Sequence, residues 1–163
     1  MRLIALLGNP VDRAYSHYHH EVRMGRELLP FPDALEREAE RLGQRQPGAN
    51  VDEVYASPGY RRHSYLARGV YVVQLEAWMR VFPQEQLLVL RSEDLFSDAA
   101  AVLSTVNEFL RLPEWPSDGY RRKHNVGNYS PMDPSVRERL VDYFRPHNRR
   151  LREYLDIDLD WDR

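Results

Sequence analysis

The chain has 163 residues, enough for one domain with a real core, and a net charge of −2 that offers no basic surface for nucleic acid. It has no cysteine, which excludes disulfides and thiolate metal sites. Charged residues are 29% and hydrophobic ones 42%, an ordinary soluble balance, and no apolar run approaches a membrane span. The expectation is a cytoplasmic protein with no nucleic-acid partner.

Leu3–Leu7 is a continuous apolar run of strand length, the pattern of a strand covered on both faces. Asn9-Pro10 then ends the strand and opens a helix, Asn9 as N-cap and Pro10 in the first turn. A helix N-terminus at the carboxyl end of a parallel strand is where α/β proteins bind anions. This helix is predicted from Pro10 to Gly25. Val11, Ala14, Tyr15, Tyr18 and Val22 form its apolar stripe. Ser16 lies about 140° around from Val11, on a polar side shared with Asp12, Arg13, His17, His20 and Arg23.

Phe31–Leu42 reads as a second amphipathic helix whose Glu and Arg residues face solvent. Residues 43–69 are the least regular part, with turn signals at Pro47-Gly48, Asn50 and Pro58-Gly59. Tyr60, Arg61, Arg62, His63 and Tyr65 are candidates there for binding a polar or anionic molecule. Val70–Phe82 is predicted as a helix stopped by Pro83, and Gln86–Leu90 as a second buried strand. A helix capped by Ser97 follows, with Val102, Leu103, Val106, Phe109 and Leu110 on its core face. Helix–strand–helix order with apolar strands argues for α/β with a parallel sheet. The two strands should be parallel, adjacent or nearly so, with a sheet edge left bare for self-association. Residues 112–132 are irregular. Asp133-Pro134 opens the last helix, which Pro146 should kink or divide. The six histidines show no metal-ligand spacing, and Glu93 and Asp94 are assigned to caps or ion pairs.

Three segments carry a resemblance that spans nearly the whole chain. NPVDRAYSHY, FPQEQLLVLRSEDLFSD, and YSPMDP…YFRPHNRRL…DLDWD, in that order, closely resemble the bacterial and heparan-sulfate-type sulfotransferases. These use 3′-phosphoadenosine 5′-phosphosulfate (PAPS) and leave adenosine 3′,5′-bisphosphate (PAP). The resemblance implies a three-layer α/β/α, nucleotide-kinase-like fold with a parallel sheet. It also implies sulfuryl transfer to a hydroxyl or amine on a small-molecule or carbohydrate acceptor. Ser16 matches the family serine that grips the 3′-phosphate, with Arg13 nearby. The family arginine before Asn-Pro is Gly8 here, which removes a bidentate phosphate donor. Arg122, Lys123 and Gly127 match a loop that closes over the adenosine and 3′-phosphate, although Asn128 stands where many relatives have Arg.

The family's phosphosulfate loop and acceptor base would lie before Met1. The chain therefore reads as a single partial domain, residues 1–163, lacking the N-terminal part of the fold, and no catalytic residue is assigned. Two other readings follow: a non-catalytic PAPS- or PAP-binding pseudoenzyme, and a structural fragment that needs a partner chain.

Overall fold

The computed structural model describes residues 1–43, 57–114 and 128–162. The chain divides into two units, Met1–Asn9 with Val72–Asn128, and Pro10–Tyr71 with Tyr129–Arg163.

The first unit is built on two strands, β1 (Leu3–Leu7) and β2 (Leu87–Arg91). They pair in parallel, with Leu3 opposite Leu87 and Leu7 opposite Arg91. The predicted strand pair, its direction and its adjacency are all present. Burial on both faces is not. Along β2 every residue is half-buried, whereas Ile4 and Leu6 of β1 are 42% and 48% exposed. A period of two puts those side chains on one face, and that face of β1 lies open.

A helix from Tyr71 to Met79 precedes β2, burying Val72 and Leu75. It is shorter than the apolar pattern predicts, because Val81 and Phe82 belong to the turn beyond it, where Phe82 stacks at 5.9 Å on Trp78 of the last helical turn. After β2 come two helices, Ser92–Ser97 and Ala99–Leu110. The cap of the second is Asp98, whose carboxylate accepts from the Ala101 amide at 3.1 Å. Ser97, the expected cap, instead closes the first helix by donating to the Asp94 carbonyl. Asp98 has φ −144°, and that extended residue makes the break between the helices.

The second unit begins with α1 (Pro10–Arg23) and ends with α8 (Pro134–Leu155). Its core is Val11 and Ala14 of α1, Phe31, Ala34 and Tyr65, and Val136, Leu140, Val141 and Phe144 of α8. The expected helix at 31–42 is interrupted at Arg37 into α2 (Phe31–Glu36) and α3 (Glu38–Arg41). The part of the irregular stretch that is described is more regular than expected. It holds α4 (Pro58–His63) and a 3₁₀ turn, Ala67–Gly69. Ser57 caps α4, its hydroxyl accepting from the Tyr60 amide at 3.2 Å. Ser57-Pro58 is thus a helix start rather than part of a turn.

Asp133 caps α8 as expected, accepting from the amides of Ser135 and Val136. Pro146 does not divide this helix, which runs unbroken for 22 residues. A proline in a helix interior costs about 3 kcal/mol. Here Leu140, Val141 and Phe144 are buried before it and Leu151 after it, and their burial, at about 1.5–3 kcal/mol each, outweighs that cost. Gly69 sits where only a glycine fits: a Cβ there would lie 2.6 Å from Cε1 of Phe144.

Candidate functional site

Ser16 is exposed on α1 in line with Asp12, His20 and Arg23, as the helical period predicts. Asp12 is engaged by Arg137, Nη1 to Oδ1 at 2.6 Å. His20 faces Arg23 across 3.3 Å. Ser16 itself has no hydrogen-bond partner among the described residues, so its hydroxyl is available to a ligand.

Arg13 sits one turn earlier but points elsewhere. Its guanidinium donates to the carbonyls of Ser64, at 3.5 Å, and Tyr65. Burial lowers its pKa from the usual guanidinium value, and Arg68 adds to the lowering. Glu38 completes the clamp, accepting from the amides of Leu66 at 2.7 Å and Ala67 at 2.8 Å. Two successive carbonyls and the next two amides of residues 64–67 are thereby satisfied by one cation and one anion. Glu38 is 3% exposed, so it is not part of the solvated face expected of its helix. Burial raises its pKa against the lowering effect of those amides.

Gly8 and Asn9 lie at the end of β1. A Cβ at Gly8 would fall 2.6 Å from the Ser92 hydroxyl, so a larger side chain would need Ser92 to move. The Asn9 amide donates to Glu93 Oε1 at 2.6 Å. The anion at this turn is therefore an internal carboxylate. That is the capping role expected for Glu93, and Asp94 is likewise paired, with Arg91 at 3.6 Å.

Of the five candidates between 60 and 65, only Arg61 and Arg62 are exposed. Tyr60 is buried, and Tyr65 is fully buried with its hydroxyl donating to Glu27 at 2.9 Å. Glu27 also accepts from the amides of Leu28 and Leu29 at 2.9 and 3.0 Å and from both terminal nitrogens of Arg41. Burial pushes this carboxyl up, but the hydrogen bonds from Arg41, Leu29 and Tyr65 prevail and bring it down to about 2. His63 lies 3.6 Å from it, and burial, with Arg41 adding, lowers the imidazole pKa.

His17 does not share the open side of α1 with His20. Its side chain is 12% exposed against 49% for His20. Burial, with Arg13 and Arg68 adding, lowers its pKa to about 4, which leaves it neutral at pH 7. His19, which the sequence did not single out, stacks on Tyr129 at 4.2 Å with the rings nearly parallel. Tyr15 meets the same Tyr129 ring edge-on at 5.4 Å and donates to the Ser130 carbonyl at 3.0 Å. Arg122, Lys123 and Gly127 lie outside the described residues. The chain that follows them meets α1 at Tyr15 and His19.

The Ser16 hydroxyl is exposed, Gly8 supplies no side-chain donor, and Arg13 is already occupied by carbonyls. No group of three or more His, Cys, Asp or Glu among the described residues is arranged to hold a metal ion. No helix among them is long and apolar enough to cross a membrane.

Comparison with known proteins places these features in a family. The family model described as a sulfotransferase domain matches residues 1–123. Among curated proteins, heparan sulfate glucosamine 3-O-sulfotransferase 3B1 of Homo sapiens is 27% identical over 99% of this chain and 43% of its own length. Carbohydrate sulfotransferase 15 of Homo sapiens is 30% identical over 94% and 30%. The membrane-associated sulfotransferase kil1 of Dictyostelium discoideum is 29% identical over 68% and 23%. The chain thus spans less than half the length of each of these relatives. A solved sulfotransferase from Alicyclobacillus acidocaldarius superposes with a TM-score of 0.78, at 31% identity, over 99% of this chain and 57% of that one. The α/β sulfotransferase fold expected from the sequence is therefore present over the part of it that the chain spans.

Proposed function

Since this chain belongs to the sulfotransferase-domain family, we propose that it serves PAPS-dependent sulfuryl transfer to a hydroxyl or amine of a carbohydrate or other small acceptor. PAPS would supply the activated sulfuryl group. The observation that carries the reading is the exposed, unpartnered hydroxyl of Ser16 on the first helix after β1, in a chain whose fold follows a solved sulfotransferase. Ser16 donates to the 3′-phosphate of the nucleotide. Arg13 supports the site by holding α1 to residues 64 and 65 rather than by touching phosphate. Arg122, Lys123 and Gly127 complete the hold on the nucleotide in this reading, and residues 1–163 act as one domain. Carbohydrate acceptors are favoured because two of the similar proteins bear carbohydrate and heparan sulfate names.

A second reading, in which the chain binds the nucleotide without catalysing transfer, is favoured by Gly8. The site gains no guanidinium there to stabilise developing charge, and loss of one such donor costs about 10²–10³ in rate.

Calorimetric titration of PAP into the full chain tests nucleotide binding. The wild type binds, and Ser16→Ala weakens binding about tenfold, the usual effect of losing one hydrogen bond to a charged group. A wild type that fails to bind PAP, or a Ser16→Ala variant that binds it equally well, overturns the assignment. Transfer of labelled sulfate from PAPS to a carbohydrate acceptor separates the two readings.

A further inference from the structure

A cleft of about 260 Å³ is lined by Glu21, Arg26, Pro58, Arg61 and Arg62. Glu21 is 3% exposed, yet its carboxylate is poorly satisfied. Oε1 lies 3.8 Å from His17 and 3.8 Å from His20, beyond hydrogen-bond reach of either. Oε2 faces Arg26 across 3.6 Å and accepts no hydrogen bond. A buried carboxylate oxygen without a donor is costly, and buried polar atoms left so call for an explanation. Above it stand two exposed arginines, Arg61 and Arg62, with no ion pair among the described residues. The cleft therefore offers an acceptor that lacks a donor and guanidiniums that lack an anion, all lining the same space.

A bare oxyanion answers only half of this. It satisfies the arginines but adds a second negative charge beside Glu21. A neutral polyol answers the other half, donating to Glu21 and leaving the guanidiniums as they were. We propose that the cleft binds an anion that carries its own hydrogen-bond donor, with the donor on Glu21 and the anionic group on Arg61 and Arg62. A volume below the roughly 300 Å³ at which drug-sized pockets begin limits the occupant to about one sugar-sized ring. Pro58 gives that ring an apolar wall. Two sources share this chemistry: a sugar acid such as a hexuronate, and monoprotonated phosphate, free or as an ester. The site stands independently of nucleotide binding at Ser16.

The test is titration of the full chain with four probes: D-glucuronate, hydrogenphosphate, sulfate and D-glucose. Glucuronate and hydrogenphosphate each carry both groups, sulfate only the charge, and glucose only the donors. At least one of the first two binds in the millimolar range or tighter and about tenfold better than sulfate or glucose. The stronger of the two identifies the source. Glu21→Gln, nearly the same in shape, abolishes the preference over sulfate. Arg61→Ala with Arg62→Ala, both at exposed positions, weakens the preferred probe about tenfold with the melting temperature unchanged. Sulfate binding as tightly as the preferred probe overturns the proposal. So does indifference of that binding to the double arginine variant, or the failure of both donor-bearing anions to bind. PAP carries phosphate esters of its own, so the PAP titration is repeated on the double arginine variant. A loss seen only in Ser16→Ala belongs to the nucleotide site, a loss seen only in Arg61→Ala with Arg62→Ala belongs to the cleft, and either site can fail without the other.

Discussion

Replacing Glu27 by glutamine removes one charge and no volume, at a side chain with no solvent-accessible surface. In the native protein the carboxylate accepts from two backbone amides, both terminal nitrogens of Arg41 and the Tyr65 hydroxyl. Glutamine offers one oxygen for these donors and turns an NH₂ group toward the rest. It also leaves the Arg41 guanidinium, 23% exposed, without its counter-ion. Breaking a buried ion pair from one side costs about 3–5 kcal/mol. Linkage gives a consistent figure. A carboxyl that titrates at about 2 when folded, from a usual 4.5, contributes about 3 kcal/mol at 1.36 kcal/mol per unit. That stability is fully present above pH 4.5 and is lost as the pH falls through 2. Urea denaturation of wild type and Glu27→Gln at a series of pH values measures both. At pH 7 the variant is less stable by about 3–5 kcal/mol, and between pH 4.5 and 2 the gap closes. A loss under about 1 kcal/mol at pH 7, or a gap that stays constant down to pH 2, refutes the network as drawn.

His17 should leave its own mark in a higher window. Its folded pKa of about 4 lies below the usual 6.5, so the unfolded chain binds the proton more readily and stability falls as the pH drops from 6.5 toward 4. In His17→Phe that limb of the stability profile becomes shallower, His63, whose imidazole pKa is also lowered by burial, contributing to what is left, while the Glu27 limb remains; an unaltered profile would count against His17 being buried and neutral. Gly69→Ala forces a methyl to within 2.6 Å of the Phe144 ring and 3.1 Å of Pro10. Such overpacking costs about 1–3 kcal/mol, and thermal unfolding that matches the wild type would disprove the close approach. Asp98→Ala removes the cap of the Ala99–Leu110 helix and should cost about 1 kcal/mol, whereas Ser97→Ala should cost less. The reverse order in urea melts would restore Ser97 as the cap.

The sequence reveals the scaffold wherever a local signal has one reading. Leu3–Leu7 is too short for a buried helix and too apolar for a loop, and it is β1. Asn9-Pro10 and Asp133-Pro134 both pair a capping residue with a first-turn proline, and both open helices. Ser57-Pro58 carries the same signal, but Gly59 follows it, and the Pro-Gly pair is also the commonest mark of a turn. What decides is the Tyr60 side chain, which is drawn into the core and needs the helical path to reach it. The uninterrupted course of α8 through Pro146 has a similar origin, because burial on both sides of the proline is a tertiary fact. Periodicity places Ser16 on the exposed side of α1 correctly. It does not say that Arg13 and His17, on the flanks of the same helix, are covered, since the width of the covered face depends on what packs there.

The three acids that organise the second unit were the least visible. Glu21, Glu27 and Glu38 are each 3% exposed, although carboxylates are almost never fully buried unless paired. Two of them are buried for one reason. Glu27 and Glu38 lie beside backbone amides at bends where no helix or strand partner exists: Glu27 takes those of Leu28 and Leu29, Glu38 those of Leu66 and Ala67. A buried amide without an acceptor is as costly as a lost hydrogen bond, and a carboxylate satisfies two at once. The partner amides of Glu38 are almost thirty residues away, so nothing in its local pattern distinguishes it from a solvated helix acid. Glu21 breaks the rule. It is as deeply buried as the others, and among the described residues its side chain takes no backbone amide and one of its oxygens accepts nothing. Two acids of equal burial are consumed by the fold, and the third is left with capacity to spare beside exposed arginines, which is the arrangement expected when the missing donor belongs to a ligand.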